Sequence, residues 1–199
     1  MGIVRLVDQL RIHRCALAGY SMGGRIALHT GLQAPERFPR LLIESATPGI
    51  ADEGERALRR EADDALAAKM EADFDAFLLR WYSQPFFASL HDNPERLDRM
   101  MQRRSQGRPQ ELAASLRALG QGEFPSLWDR LGEIQAPVLF VAGERDEKYK
   151  ALAQEAATAC PQGQYEIVPD AGHNVHIERP DRYTEVLRDF LARMFHHRS

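Results

Sequence analysis

The chain has 199 residues, 44% of them apolar and 28% charged, with a formal net charge of −3. That length holds one domain with a sizeable core, or a core plus a small lid, and the composition excludes a disordered chain or a fibre. The slight negative charge gives no electrostatic basis for nucleic-acid binding, and no apolar run approaches the length that spans a bilayer.

The opening residues, MGIVRLVDQL, lack the basic stretch and continuous apolar segment of a signal peptide. Leu6 stands where N-myristoylation requires Ser or Thr. Cys15 and Cys160 are the only cysteines, so reduced, packed thiols in a cytoplasmic protein are expected. Neither nucleic acid nor membrane is expected as a partner, and the sequence leaves the oligomeric state open.

In chain order, Val4, Val7 and Leu10 fall at helical spacing within Val4–Ile12. Cys15–Gly19 then reads as a short buried strand, Tyr20–Gly24 as a sharp turn, Arg25–Gln33 as a helix and Arg40–Glu44 as a second strand. Two strands joined by a helix mark a parallel sheet. From Pro48 to about Arg130 the pattern becomes charged, alanine-rich and helical, over Gly54–Met70, Asp73–Tyr82, Pro94–Arg104 and Gln110–Leu119. Gly107-Arg-Pro109 and Gly120-Gln-Gly122 break these helices. Strands return at Pro137–Gly143 and Gln164–Val168, separated by a helix at Lys148–Thr158 and followed by an amphipathic helix at Asp181–Met194. The expected organisation is an α/β core over residues 1–47, a helical lid covering the sheet over 48–130, and the rest of the core over 131–199.

Three loops carry the chemistry. Gly19-Tyr20-Ser21-Met22-Gly23 fits G-x-S-x-G and lies between a strand and a helix, the setting in which that motif becomes a nucleophile elbow. The serine sits on a strained turn, with glycines on both flanks preventing collisions as the chain doubles back, and the Met22 amide is placed to donate to a developing oxyanion. Gly143-Glu-Arg-Asp146 puts an acid just past the carboxyl end of an apolar strand, on the same rim of the sheet. A helix N-cap is the competing reading of Asp146. Asp170-Ala-Gly-His173 follows the next strand. Serine, acid and histidine thus appear in the order of an α/β-hydrolase triad, each after its own strand. His173 is expected to take the proton of Ser21, and Asp146 to hold the imidazole tautomer. His176 lies near His173 but follows no strand end, and His13, His29, His91, His196 and His197 lack partners at metal-ligand spacing, so no metal is expected.

Gly19-Tyr-Ser-Met-Gly-Gly-Arg25, Trp81-Tyr-Ser-Gln-Pro-Phe-Phe-Ala-Ser-Leu90, Gly143-Glu-Arg-Asp-Glu-Lys148 and Ala171-Gly-His-Asn-Val-His176 together resemble the 2-succinyl-6-hydroxy-2,4-cyclohexadiene-1-carboxylate synthases. These are menaquinone-pathway lyases built on the α/β-hydrolase fold, and the resemblance runs almost end to end. It implies elimination of pyruvate from 2-succinyl-5-enolpyruvyl-6-hydroxy-3-cyclohexene-1-carboxylate, with the triad abstracting a ring proton and no cofactor required. A small-molecule polycarboxylate substrate of this kind calls for cations. The resemblance assigns that role to Arg25, Arg59 and Arg104, whose guanidinium forks match carboxylates, with Tyr20 and Trp81 lining the pocket. Trp81 and Tyr82 read equally as members of a lid core.

An α/β hydrolase has several strands ahead of the elbow, and a loop after the third supplies a second oxyanion amide. Only one helix precedes the elbow strand here, so the chain is expected to be N-terminally truncated and to hold the C-terminal half of the sheet. Loss of one oxyanion donor costs about 10²–10³ in rate. An α/β hydrolase acting on esters or C–C bonds, and an inactive truncated remnant, are the alternatives the sequence leaves open.

Overall fold

The structure, a computed structural model, describes residues 2–192; His196 and His197 lie outside the described residues. In chain order the elements are α1 (Gly2–Gln9), β1 (Leu17–Tyr20), α2 (Met22–Gln33), β2 (Leu41–Glu44), α3 (Glu53–Ala72), α4 (Phe74–Tyr82), α5 (Pro94–Ser105), α6 (Pro109–Leu119), β3 (Val138–Gly143), α7 (Glu147–Ala159), β4 (Gly163–Val168), α8 (Val175–Glu178) and α9 (Pro180–Ala192). Two 3₁₀ segments, Pro85–Asp92 and Trp128–Glu133, and the four-residue α8 are additions to the sequence expectation. A 3₁₀ segment does not follow the 3.6-residue repeat that marks an α-helix, and α8 is a single turn.

The chain divides into two compact units, one running up to Pro48 and resuming at Leu127, the other Gly49–Ser126. The second unit is thus slightly shorter than the stretch 48–130 expected from the sequence to form a lid. Leu127 and Leu131 explain the difference, because both are fully buried in the core of the first unit. The Leu127 N–H also donates to the Pro48 carbonyl at 2.9 Å, which ties the two ends of that unit together.

The first unit holds a sheet of four parallel strands in the order β1-β2-β3-β4. β2 and β3 are buried at every residue, as strands covered on both faces must be. Alternate side chains feed two cores. Leu41, Ile43, Val138, Phe140 and Ala142 pack with Ala27 and Leu28 of α2 and Ala153, Ala156 and Ala157 of α7. Leu42, Leu139, Val141 and Val168 pack on the other face with Val186 and Phe190 of α9. Among the described residues β1 pairs on one side only, with β2.

In the second unit, side-chain caps set the starts of α3, α4 and α5. Asp52 accepts from the Glu55 N–H at 2.8 Å, Asp73 from Ala76 at 3.0 Å and Asn93 from Arg96 at 3.0 Å. Asp73, expected as the first residue of a helix, is its N-cap instead, where a short acceptor side chain satisfies an otherwise unpaired amide.

His29 of α2 has its pKa lowered from 6.5 to about 4, chiefly by burial and then by the charges of Arg25 and Arg130. Between those values the unfolded chain binds a proton that the folded chain refuses, so stability is complete above the unfolded value and drains away as pH falls towards the folded one. His29 is only half-buried, which scales the effect down to about 1 kcal/mol. Urea unfolding of His29→Gln should therefore lose less stability than the parent between about pH 7.5 and about pH 4.5. Identical losses in the two proteins would contradict this assignment.

Candidate active site

β1 ends at Tyr20 and α2 begins at Met22, leaving Ser21 alone to make the turn. It does so at φ 51° and ψ −116°, in the left-handed region that costs a non-glycine residue strain. Close passage of the two arms demands missing side chains. A Cβ on Gly19 would strike the Gly23 carbonyl, and one on Gly24 would lie 2.6 Å from the Ala46 Cβ. A Cβ on Gly23 would meet nothing within 4 Å. The crowded glycine on the far flank is therefore Gly24, one residue later than the motif suggested. Met22 opens α2, so its N–H has no acceptor within its own helix and sits at the positive end of the helix dipole.

Asp146 follows β3, and its two carboxylate oxygens face different partners. Oδ1 caps α7 by accepting from the Tyr149 N–H at 3.4 Å, while Oδ2 lies 2.6 Å from His173 Nδ1. Both residues are buried, which strengthens a hydrogen bond to a charged group. The contact commits Nδ1 of His173 to the carboxylate and leaves Nε2 as the nitrogen able to accept a proton. Tyr149 and Tyr20 flank the imidazole, with ring centroids 4.6 and 5.4 Å away. Tyr20 directly precedes Ser21, so the elbow, the acid and the histidine share one rim of the sheet.

Further buried carboxylates hold this rim. Glu178 accepts from the amides on either side of His173, Gly172 at 2.8 Å and Asn174 at 3.1 Å. Glu44, at the end of β2, accepts from the His176 N–H at 3.1 Å and meets His176 Nδ1 at 2.8 and 2.9 Å. The acid loop is tied to the histidine loop by the Arg145 N–H, which donates to the Ala171 carbonyl at 2.9 Å. Sequence reasoning missed Glu44, Glu178 and Tyr149 and set His176 aside. Glu44 carried a usable signal, being an acid at the carboxyl end of an apolar strand, the same feature that marked Asp146.

The residues expected to bind substrate are placed as follows. Arg25 lies in the first turn of α2 and is 5% exposed. In the second unit, Arg59 donates through Nε to the buried Asp63 at 2.8 Å and through Nη1 to Gln121 Oε1 at 2.6 Å. Arg104 hydrogen-bonds the Tyr82 hydroxyl, whose pKa rises through burial while the arginine opposes the rise. Trp81 stacks on Phe77 at 5.9 Å and meets Phe86 and Phe87 edge-on at 5.8 and 6.0 Å, which makes it part of an aromatic cluster within that unit. Cys15 and Cys160 are free thiols, and burial pushes Cys160 up to about 11, keeping it protonated and unreactive. Among the described residues no group of three or more His, Cys, Asp or Glu side chains is placed to hold a metal, and no helix is long and apolar enough to cross a membrane.

Residues 2–186 match the α/β hydrolase family. A Bacillus subtilis protein provisionally named 2-succinyl-6-hydroxy-2,4-cyclohexadiene-1-carboxylate synthase is 40% identical over 192 residues, covering 96% of this chain and 70% of its own length. A Citrobacter koseri protein bearing that name outright is 38% identical over 177 residues, covering 88% of this chain and 67% of its own. The solved structure of MenH from S. aureus superposes with a TM-score of 0.90 at 34% identity, over 95% of this chain and 72% of that one. The chain belongs to the α/β hydrolase family and, within it, to the 2-succinyl-6-hydroxy-2,4-cyclohexadiene-1-carboxylate synthases.

Proposed function

We propose that this chain is a lyase of menaquinone biosynthesis that eliminates pyruvate from 2-succinyl-5-enolpyruvyl-6-hydroxy-3-cyclohexene-1-carboxylate, with Ser21, His173 and Asp146 as its catalytic residues. The observation that carries the reading is the buried Asp146–His173 pair, 2.6 Å apart, on the rim that bears the Ser21 elbow, in a chain 40% identical to a relative given the synthase name.

In this mechanism His173 Nε2 draws the proton from the Ser21 hydroxyl, and the serine oxygen removes the ring proton. The electron pair released forms the second ring double bond as the bond to the enolpyruvyl oxygen breaks. The leaving enolate recovers a proton at carbon and departs as pyruvate. Asp146 keeps His173 in the productive tautomer and stabilises the imidazolium. The Met22 amide faces the negative charge that develops, and Arg25 pairs with a substrate carboxylate, supported by its place one turn into the elbow helix. Tyr20 lines the site beside His173.

Pyruvate release, followed through a coupled dehydrogenase, tests the reading. Ser21→Ala and Asp146→Asn should each lower kcat by about 10²–10⁴-fold, the range that a positioned acid–base group supplies. Pyruvate release that persists in Ser21→Ala, or rapid cleavage of simple esters with no pyruvate formed, would overturn it. Arg25→Lys should raise KM about tenfold with a smaller change in kcat, because an ammonium lacks the two-pronged fit to a carboxylate. An unchanged KM would remove Arg25 from the substrate site.

A further inference from the structure

Glu44 is a carboxylate with 1% of its surface exposed, on a strand otherwise made of Leu41, Leu42 and Ile43. Burying an acid is costly unless donors surround it, and here they do. The His176 amide, the His176 imidazole and the Tyr183 hydroxyl all bond to it. Burial first, then the Glu44 charge and this bond, raise the Tyr183 pKa, so the phenol stays a donor. The main chain of the same residue acts on the elbow, because its carbonyl accepts the Ser21 N–H at 2.8 Å. The His176 ring in turn packs edge-on against Tyr20 at 4.9 Å, and Tyr20 packs against His173 at 5.4 Å. A closed circuit therefore runs from the Ser21 amide through Glu44 and His176 to Tyr20 and back to Ser21.

We propose that Glu44, acting through His176, is a positioning residue that holds the Ser21 elbow and the His173 loop in register with each other. The inference rests on the reading of Ser21, His173 and Asp146 as the triad. Glu44 fixes the elbow from its main chain and the histidine loop from its side chain, so a single rigid strand end sets both positions. Without the carboxylate, His176 loses its anchor and Tyr20 loses the ring that wedges it against His173. Displacements of about 1 Å between reacting groups are enough to cost about 10²-fold in rate.

A fluorophosphonate probe that labels an activated serine reads this register without depending on the natural substrate. Labelling of the intact chain should be abolished by Ser21→Ala and by His173→Ala. Glu44→Gln and His176→Ala should each reach the same final labelled fraction as the parent, with the rate constant lowered about 10–100-fold. A merely structural role would instead reduce the labelled fraction and leave the rate constant of the folded molecules unchanged. Because the two residues act in series, Glu44→Gln combined with His176→Ala should be no slower than the slower single variant. Parent-like rate constants in His176→Ala, or full additivity in the double variant, would overturn the proposal even if Glu44→Gln failed to fold. Absence of labelling in the unsubstituted chain would overturn the triad reading and this inference with it.

Discussion

The parallel ladder of the sheet does not stop where the strands stop, and the site depends on that continuation. Beyond β1, the Ser21 N–H donates to the Glu44 carbonyl at 2.8 Å; beyond β2, Ser45 donates to Val141 at 2.8 Å; beyond β3, Glu144 donates to Val168 at 3.0 Å. Each bond carries the register of the sheet one step past a strand end, so the turns that hold Ser21 and Asp146 start from fixed positions. In a parallel sheet all carboxyl ends lie on one margin, so residues far apart in sequence become neighbours there. The apolar residues of β2 and β3, covered on both faces, make the platform rigid enough for that alignment to matter.

Much of this was legible because its signals were local. A G-x-S-x-G between a strand and a helix, an acid one turn past an apolar strand, and a histidine after the next strand all announce themselves within a few residues. The helices of the second unit were equally readable from their charged, alanine-rich pattern, although the caps Asp52, Asp73 and Asn93 fix where three of them begin. What the sequence hid was pairing across distance. Glu44 and His176 are 132 positions apart, and nothing local in the His173-Asn-Val-His176 stretch reveals that the second imidazole turns towards a strand end. The fates of Arg59 and Arg104 were hidden for the same reason, because composition says only that a helix is charged. Arg59 bonds Asp63, one turn along its own helix, and Gln121, 62 positions away. Gly24 shows the limit of a motif: the spacing names Gly23, yet the contact with Ala46 decides which position must lack a side chain.

Buried acids recur in both units, and each is surrounded by donors rather than by a single counter-ion. Asp146 meets an amide and an imidazole, Glu178 meets two amides, and Glu44 meets an amide, an imidazole and a phenol. Asp63 does the same work in the helical unit, accepting from Arg59 and from the Gln121 amide at 3.1 Å. Replacing any of them by an apolar residue leaves several donors unsatisfied at once, a loss of about 1–3 kcal/mol for each donor left unpaired. Such residues define where loops must lie, because an amide has one direction and a carboxylate few. The rim is consequently ordered by polar geometry over an apolar base.

The division of labour within Asp146 links the His173 loop to the start of a helix. One oxygen terminates α7 and the other steadies His173, so the charge of this carboxylate is sensed at both ends. When the imidazole becomes an imidazolium, electron density on the carboxylate shifts towards it and the bond to the Tyr149 amide weakens. In the proposed mechanism the Tyr149 amide is therefore a built-in reporter of the charge on the Asp146–His173 pair, read through its chemical shift at the first turn of a helix.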